Sequence, residues 1–268
     1  MDTKETIRYW YNRIGFPDRY DKAFTDALES YKIDPEMTAE AYDIHEQDGK
    51  KNFLYYLYFC EALSNAYKDK GISEEILMDT LADMPRWLDT WSDLKGGLYF
   101  GELDWFYHHF TMKLFKLGRL QFCFADRYEF PNRGIQKGDA VIDVHIPEAG
   151  PLTLESCLES LDMARDFFAT YYPEYQYEVF TCHSWLLAEN LVDLLGEESN
   201  IVKFQRLFRI TEQFEDDAIL AYTLRWKITR DEVGEITPKS RFAQKVKDMA
   251  LAGEPFYGGC GYIEKELL

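Results

Sequence analysis

The sequence lacks any apolar run long enough to cross a membrane. A membrane-spanning helix needs about 20 consecutive apolar residues, and the longest apolar runs, such as residues 53–59, are far shorter. The polar start over residues 1–5 also lacks the apolar segment of a signal peptide. These absences predict a cytoplasmic protein with no membrane partner.

Positive charge is scarce as well. The chain has 30 Lys and Arg residues against 48 Asp and Glu residues, which gives a formal net charge of −18. Nucleic acids and anionic membranes attract basic surfaces, so we expect neither as a partner. Residues 203–247 reverse the balance locally, with ten Lys and Arg against seven Asp and Glu. This reversal fits either a small phosphate-bearing ligand or a mixed solvated face.

Metal-binding and nucleophile motifs are missing. The cysteines are scattered and form no C-x-x-C pair, which indicates reduced, mostly buried thiols rather than disulfides or a zinc knuckle. His108 and His109 are adjacent on a predicted helix without a third ligand at a suitable spacing, so we predict no metal site. The absence of a G-x-S-x-G turn argues against a serine hydrolase. The cysteines are Cys60, Cys123, Cys157, Cys182 and Cys260.

Two kinds of apolar pattern divide the chain. Residues 1–118 repeat apolar residues at helical spacing, including a helix expected over residues 98–117 with Gly118 as its C-cap. From Arg119 the pattern alternates as in strands. We therefore predict a helical domain over residues 1–118 and an α/β domain over residues 119–268. The aromatic content of 16% fits a ring-filled core or an apolar ligand groove.

A strand, a helix and a second strand follow one another in the second part. The strands are expected over residues 140–146 and 177–184, and the helix over residues 153–170. A crossover of this length places the two strands side by side and parallel. Further strand-like runs occur at residues 208–214 and 219–229.

Two histidines mark the carboxyl ends of this expected parallel pair. His145 lies near the end of the first strand and His183 at the end of the second. Ligands of α/β sheets bind beyond such ends, and imidazole exchanges protons near neutral pH, so each is a candidate general base. The alternative for each is a hydrogen-bonded structural role, which is the commoner one for a histidine. Neighbouring strand residues point to opposite faces, so Cys182 and Ser184 form no nucleophile–base pair with His183.

The turn between the first strand and the helix is a candidate phosphate site. It contains proline and glycine, and Thr153 opens the helix as a hydroxyl cap. The free N–H groups and the positive end of such a helix are how proteins hold the phosphates of nucleotide-like cofactors.

Four segments together resemble bacterial acyltransferase-domain proteins. They are LGRLQF at residues 117–122, VHIP at 144–147, CHSWLL at 182–187 and SNIVKF at 199–204. In those proteins a helical N-terminal domain precedes a C-terminal domain like the GCN5-related N-acetyltransferases (GNAT). The resemblance covers nearly the whole chain. It implies an α+β fold in which a helical N-terminal domain is followed by a GNAT-like mixed-sheet α/β domain.

The resemblance also implies a function. It predicts acetyl-CoA or another acyl-CoA as co-substrate and a small-molecule acyl acceptor, in particular an amine. His183 or His145 would accept the proton of the attacking amine, and a strand N–H near Val144 or Ile146 would bind the oxyanion. The residues that would hold the CoA phosphates are Gly150, Leu152, Thr153 and Leu154.

The turn departs from the family pattern, however. GNAT enzymes carry R/Q-x-x-G-x-G/A at this place, where residues 148–153 read EAGPLT. One glycine remains, Pro151 has no N–H to donate, and Glu148 repels phosphate. Two functions therefore stay open, an acyl-CoA-dependent acyltransferase and a noncatalytic small-molecule-binding or interaction protein on a degenerate acyltransferase scaffold. The paired histidines favour the first, and the altered turn favours the second.

Overall fold

The first compact unit of the chain is built from helices. The computed structural model describes residues 2–267 and separates into a unit that ends at Leu117 and a unit that begins at Gly118. The described residues before Leu114 form helices and turns but no strand. The helices are α1 (Thr3–Ile14), α2 (Asp21–Ser30), α3 (Gly49–Lys70), α4 (Glu74–Leu81), α5 (Asp83–Lys95) and α6 (Leu103–Phe110), with a 3-10 turn at Asp18–Tyr20.

Helix α3 forms the centre of this first unit. The Asp48 side chain opens it by accepting hydrogen bonds from backbone N–H groups of the first turn. Residues 53–57 are buried on every side, because α1, α2, α4 and α6 all contact this helix. Rings pack closely against it, and those of Tyr11 and Phe24 stack with 3.8 Å between their centroids. The abundant aromatic residues of this unit thus form a core.

The end of the first unit differs from the expectation. The predicted helix over residues 98–117 is wrong, since α6 ends at Phe110 and Leu114–Leu117 is a strand, β1. Met112 has a φ of 54°, a left-handed conformation through which no right-handed helix continues. Gly118 is accordingly a turn residue after β1 rather than a helix cap. Apolar rings occur in both helices and strands, so a short run of them does not distinguish the two.

The second unit combines a mixed sheet with helices. Its strand order is β2-β3-β4-β6-β5. β3 and β4 are parallel, and the other neighbouring strands are antiparallel. The predicted α+β fold and the predicted parallel pair are confirmed. The elements are β2 (Leu120–Ala125), β3 (Val141–His145), α7 (Leu154–Tyr171), β4 (Val179–Ser184), α8 (Leu191–Leu195), α9 (Asn200–Gln205), β5 (Arg209–Glu215), α10 (Ala218–Thr223), α11 (Arg241–Leu251) and β6 (Tyr257–Glu264), with 3-10 turns at Pro131–Arg133, Trp185–Leu187, Arg230–Glu235 and Lys265–Leu267.

The chain after β5 does not continue as a strand. The strand-like run at residues 219–229 is wrong, because α10 occupies its beginning and no strand follows before β6. β6 carries the glycine-rich sequence of residues 258–261 and inserts between β4 and β5. Glycine is depleted in strands, so this strand has only a weak signal in the sequence.

Different elements cover the two faces of the sheet. On one face α7 is fixed to β2 through the backbone N–H of Leu120, which donates to the hydroxyl of Ser160 at 2.9 Å. On the other face the β2–β3 connection packs Tyr128 and Phe130 against Tyr262 of β6. β3 and β4 are inner strands of the sheet. Their carboxyl ends therefore lie between the layer formed by α7 and the layer formed by the β2–β3 connection.

Candidate active site

The parallel strands are joined over only part of their length. The β3–β4 ladder ends at the pair Asp143–Thr181, although β3 continues to His145 and β4 to Ser184. Past that pair, each strand still pairs on its outer side, β3 with β2 and β4 with β6. The facing edges of the two strand ends therefore carry backbone groups that the ladder does not use.

A buried carboxylate, Asp143, lies at this point of the sheet and is 2% exposed. Its Oδ1 accepts a hydrogen bond from the hydroxyl of Thr181 at 3.0 Å. Its Oδ2 accepts from the Tyr128 hydroxyl and from Nη2 of Arg127, both at 2.9 Å. Burial raises the pKa of Tyr128 above its usual range, and the charge of Asp143 adds to this effect, so the phenol remains a donor. Paired in this way, the buried charge is satisfied.

His145 follows Asp143 by two residues and so shares its face of β3. Its Nε2 lies 3.4 Å from Oδ2 of Asp143, and its side chain is 29% exposed. A carboxylate beside one ring nitrogen orients an imidazole and stabilises its protonated form. His145 can therefore accept a proton in an orientation that Asp143 sets.

His183 occupies the corresponding place on β4. Asp143 and Thr181 pair with each other, and His145 and His183 each follow by two residues, so both histidines lie on the same face of the sheet. The His183 side chain is exposed, and its ring stacks on Phe214 with 4.5 Å between centroids and 24° between planes. Within residues 2–267, His183 makes no ion pair. In this respect it differs from His145, which lies beside Asp143.

The residues after His183 turn the chain sharply away from the sheet. Ser184 accepts a hydrogen bond from the backbone N–H of Leu186 at 3.1 Å and so caps the 3-10 turn Trp185–Leu187. Leu186 and Leu187 are buried. The CHSWLL segment is thus a strand end followed by a capped turn, with Ser184 as the capping residue.

Arg119, which the sequence pattern did not assign, holds the turn between β3 and α7. Its guanidinium donates to the backbone carbonyl oxygens of Pro147 at 2.9 Å, Pro151 at 3.2 Å and Gly150 at 3.4 Å. Burial lowers the pKa of Arg119 from its usual range, yet an arginine stays charged in proteins. The turn therefore has a fixed positive charge on its carbonyl side. The available signal was the position of Arg119 within the LGRLQF segment.

The predicted phosphate-binding residues form this turn and the first turn of α7. Gly150 is exposed and has a φ of 43°, a left-handed conformation that favours glycine. The Thr153 hydroxyl accepts a hydrogen bond from the backbone N–H of Ser156 at 3.2 Å. Leu154 is exposed and Leu152 is buried. Because the first N–H groups of a helix have no acceptor within it, the amide of Leu154 points out of the helix end.

The predicted oxyanion-binding positions, Val144 and Ile146, flank His145. Val144 is buried and Ile146 is half-buried. Both lie past the last β3–β4 pair, in the part of the chain that the ladder does not join to β4. Their role in binding an oxyanion stays a prediction.

Several basic residues of 203–247 have partners within their own part of the fold. Arg230 contacts Asp217 at 2.6 Å, Arg225 contacts Glu232 at 2.8 Å, and Lys245 donates to a backbone carbonyl oxygen at 2.8 Å. The arginine that contacts the β3–α7 turn is Arg119, which lies outside residues 203–247.

The thiols near the strand ends are protonated at neutral pH. Burial raises the pKa of Cys182 well above its usual range. Burial, with the charges of Asp143 and Glu212, raises the pKa of Cys260 to about 11. Cys260 lies opposite His183 in the β4–β6 ladder. Neither thiol has the lowered pKa of a nucleophilic cysteine.

Within residues 2–267, no three or more His, Cys, Asp or Glu side chains are grouped so that they could hold a metal ion. Over the same described range, no helix combines the length and the apolar character that a membrane span requires.

The first unit is helical, and in the mixed sheet of the second unit the β3–β4 ladder ends before the two strands do. These features define a GNAT-like domain preceded by a helical domain. The model of the N-acyltransferase N-terminal domain matches residues 4–112, and the model of the GNAT-like C-terminal domain matches residues 114–263, more than half of the chain. The chain therefore belongs to the family defined by the GNAT-like C-terminal domain. The resemblance found in the sequence is confirmed. No protein of curated function matches the chain.

Solved structures share this fold. An acyltransferase in complex with decanoyl-CoA and teicoplanin has a TM-score of 0.80 at 21% identity, over 97% of this chain and 88% of that one. An acyltransferase in complex with decanoyl-CoA has a TM-score of 0.74 at 24% identity, over 96% and 86%. A mutant acyltransferase in complex with octanoyl-CoA has a TM-score of 0.79 at 20% identity, over 97% and 88%. At these identities the similarity establishes a common fold.

Proposed function

We propose that the protein is an acyl-CoA-dependent acyltransferase that transfers an acyl group to an amine of a small molecule. The observation that carries this function is the pair of histidines, His145 and His183, on one face of the sheet past the last β3–β4 pair. Family membership supports it, since the N-terminal model is that of N-acyltransferases. The solved structures with this fold are acyltransferases in complex with acyl-CoA.

In the proposed reaction, the acceptor amine attacks the carbonyl carbon of the thioester. The new C–N bond forms, the C–S bond breaks, and CoA leaves as a thiolate that takes up a proton. His183 accepts the proton that the amine loses, because its exposed ring lies at the open strand ends. A backbone N–H near Val144 or Ile146 stabilises the oxyanion. His145, oriented by Asp143, is the second candidate for the base.

The turn between β3 and α7 would hold the CoA phosphates. Gly150 and the amides of Leu152, Thr153 and Leu154 supply donors at the positive end of an 18-residue helix. The charge of Arg119 adds an attraction that counters the repulsion by Glu148.

The acceptor in this proposal is a small molecule rather than a nucleic acid or a membrane lipid. Two of the related acyltransferases were crystallised with teicoplanin or 10C-teicoplanin, and the net charge of −18 opposes polyanionic partners. A cytoplasmic bacterial enzyme fits the same features.

Replacement of the two histidines tests the assignment of the base. His183→Ala should lower kcat/KM by roughly 10²–10⁴ and leave the melting temperature nearly unchanged, because the exposed ring makes no buried hydrogen bond. His145→Ala is the matched control and should have the smaller effect on kcat/KM. A destabilised His183→Ala protein with normal turnover per folded molecule would remove His183 from the mechanism. A loss confined to His145→Ala would assign the base to His145.

Ligand-induced stabilisation tests acyl-CoA binding separately. Acetyl-CoA, octanoyl-CoA or decanoyl-CoA at a hundred times its Kd should stabilise the fold by about 2.7 kcal/mol, or roughly 5–10 °C in Tm. No shift with any of them at millimolar concentration would refute acyl-CoA binding.

A noncatalytic binding protein is the second candidate function, because Glu148 and Pro151 alter the phosphate turn. It predicts stabilisation by a small molecule without release of free CoA in the presence of amines. Release of CoA that depends on an added amine would exclude it.

A further inference from the structure

Strand β6 contains glycines where two side chains of β5 cross it. A glycine inside a strand weakens it unless close approach of another group requires one. A Cβ on Gly258 would lie 2.7 Å from Cε2 and 3.0 Å from Cζ of Phe214. Phe214 is the β5 partner of Gly258 in the ladder, so its ring lies over the bare backbone of β6.

The Phe214 ring reaches across β6 to His183 on β4, which is the second strand from β5 in the sheet. His183 pairs with Cys260, and Gly258 lies two residues before Cys260 in β6, on the same face of the sheet. Diagonal neighbours of this kind are about 7–8 Å apart, within reach of an aromatic side chain. The rings of Phe214 and His183 then stack at 4.5 Å with 24° between their planes.

The next residue of β5 fixes the backbone that follows His183. Gln213 donates from Nε2 to the carbonyl oxygen of Leu187 and accepts at Oε1 from the backbone N–H of Glu189, both at 2.9 Å. A Cβ on Gly259 would lie 2.4 Å from that Nε2. Adjacent residues of β5 thus cross adjacent glycines of β6, one toward the His183 ring and one toward the turn after it.

We propose that Phe214 is a positioning residue that fixes the orientation of the His183 imidazole, and that Gly258 makes this contact possible by lacking a side chain. An exposed side chain otherwise samples several rotamers. The Phe214 ring is partly buried against the buried residues Cys260 and Tyr262. Stacking on this ring restricts the rotamers of His183. The catalytic consequence rests on the proposed function, whereas the orientation of the ring does not.

The orientation is tested by NMR of the imidazole protons of His183, assigned among five histidines by comparison with His183→Ala. Phe214→Leu keeps an apolar side chain but removes the ring, so the ring-current shift of the His183 protons should disappear. Gly258→Ala should displace the Phe214 ring and change the same resonances. Gly234→Ala is the matched control, because a Cβ there meets nothing within 4 Å, and the His183 resonances should stay as in the native protein.

Kinetics test the consequence for turnover. Phe214→Leu should lower kcat roughly 10- to 100-fold and leave KM for acyl-CoA within about twofold, since the phosphate turn is untouched. In the Phe214→Leu background, Gly258→Ala should add little, because the two nearest atoms that its Cβ meets, at 2.7 and 3.0 Å, belong to the ring, and Asp216 Oδ2 lies farther off at 3.2 Å.

Unchanged His183 resonances in folded Phe214→Leu protein would overturn the proposal, whether or not turnover is detectable. Changed resonances with native kcat would overturn the role of Phe214 as a positioning residue, since the orientation of the His183 ring would then not matter for turnover. Absence of turnover in the native protein would instead count against the proposed function, and the resonances would still decide the orientation.

Discussion

Asp143 shows how one buried charge organises the strand ends. Thr181, Tyr128 and Arg127 satisfy its oxygens, and His145 lies beside it. Burial lowers the pKa of Arg127, because it disfavours the charged guanidinium. The interactions of Arg127 with Tyr128 and Asp143 outweigh this effect, so the pKa of Arg127 is raised overall. Removing one partner of such a group leaves an uncompensated buried charge, which is more damaging than losing a surface ion pair.

Cys260 gives a pH dependence whose sign follows from its environment. Its pKa is raised from 9.0 to about 11 in the folded protein, chiefly by burial, so the folded state binds the thiol proton more tightly than the unfolded chain. The resulting contribution to the free energy of unfolding is complete below the unfolded pKa and is lost as the pH rises through the folded pKa. We expect the stability difference between the native protein and Cys260→Ala to fall between pH 9 and pH 11.

Denaturant unfolding of both proteins across this pH range measures that difference. The direction is the test, because the native protein should lose more stability than the variant as the pH rises. A constant difference would mean that the thiol ionises equally well in both states.

The turn between β3 and α7 depends on a side chain from a different part of the chain. Three backbone carbonyl oxygens converge on Arg119, and hydrogen bonds from a charged group contribute about 1.5–3 kcal/mol each at most. We expect Arg119→Met to raise the Kd for CoA at least about 10-fold, since the turn loses both its shape and its positive charge. Isothermal titration calorimetry with CoA measures this effect.

Arg206→Met is the matched control, because it removes an arginine whose contact is an exposed ion pair with Glu197. Such pairs contribute about 0–1 kcal/mol, so CoA affinity should not change. Native CoA affinity in Arg119→Met, with the fold intact, would show that the turn needs neither the shape nor the charge that Arg119 provides.

The whole chain is proposed to consist of two domains, residues 1–118 and 119–268. Each part has its own core, aromatic rings around α3 in the first and the sheet with its helices in the second. Hydrogen exchange in moderate denaturant, read by mass spectrometry, should therefore show two blocks of peptides that lose protection at different denaturant concentrations. The change between blocks should fall near Gly118. A single denaturant midpoint for all peptides would contradict independent domains.

Local patterns in the sequence determined much of the second unit. Alternation and helical spacing located β3, α7 and β4, and the length of the crossover predicted that the two strands are parallel. The histidines at both strand ends and the Thr153 cap follow from the same patterns. These features depend on neighbouring residues, whose periodicity is visible in the sequence.

Only the tertiary structure decided which distant residues meet. Sequence patterns do not reveal that β6 inserts between β4 and β5, because strand order depends on pairing between segments far apart in the chain. The same holds for Arg119 at the β3–α7 turn, for Arg127 and Tyr128 at Asp143, and for Phe214 over Gly258. Hydrophobic periodicity indicates which face of an element is buried, but the partner on that face is fixed by packing and register, which are properties of the folded chain as a whole.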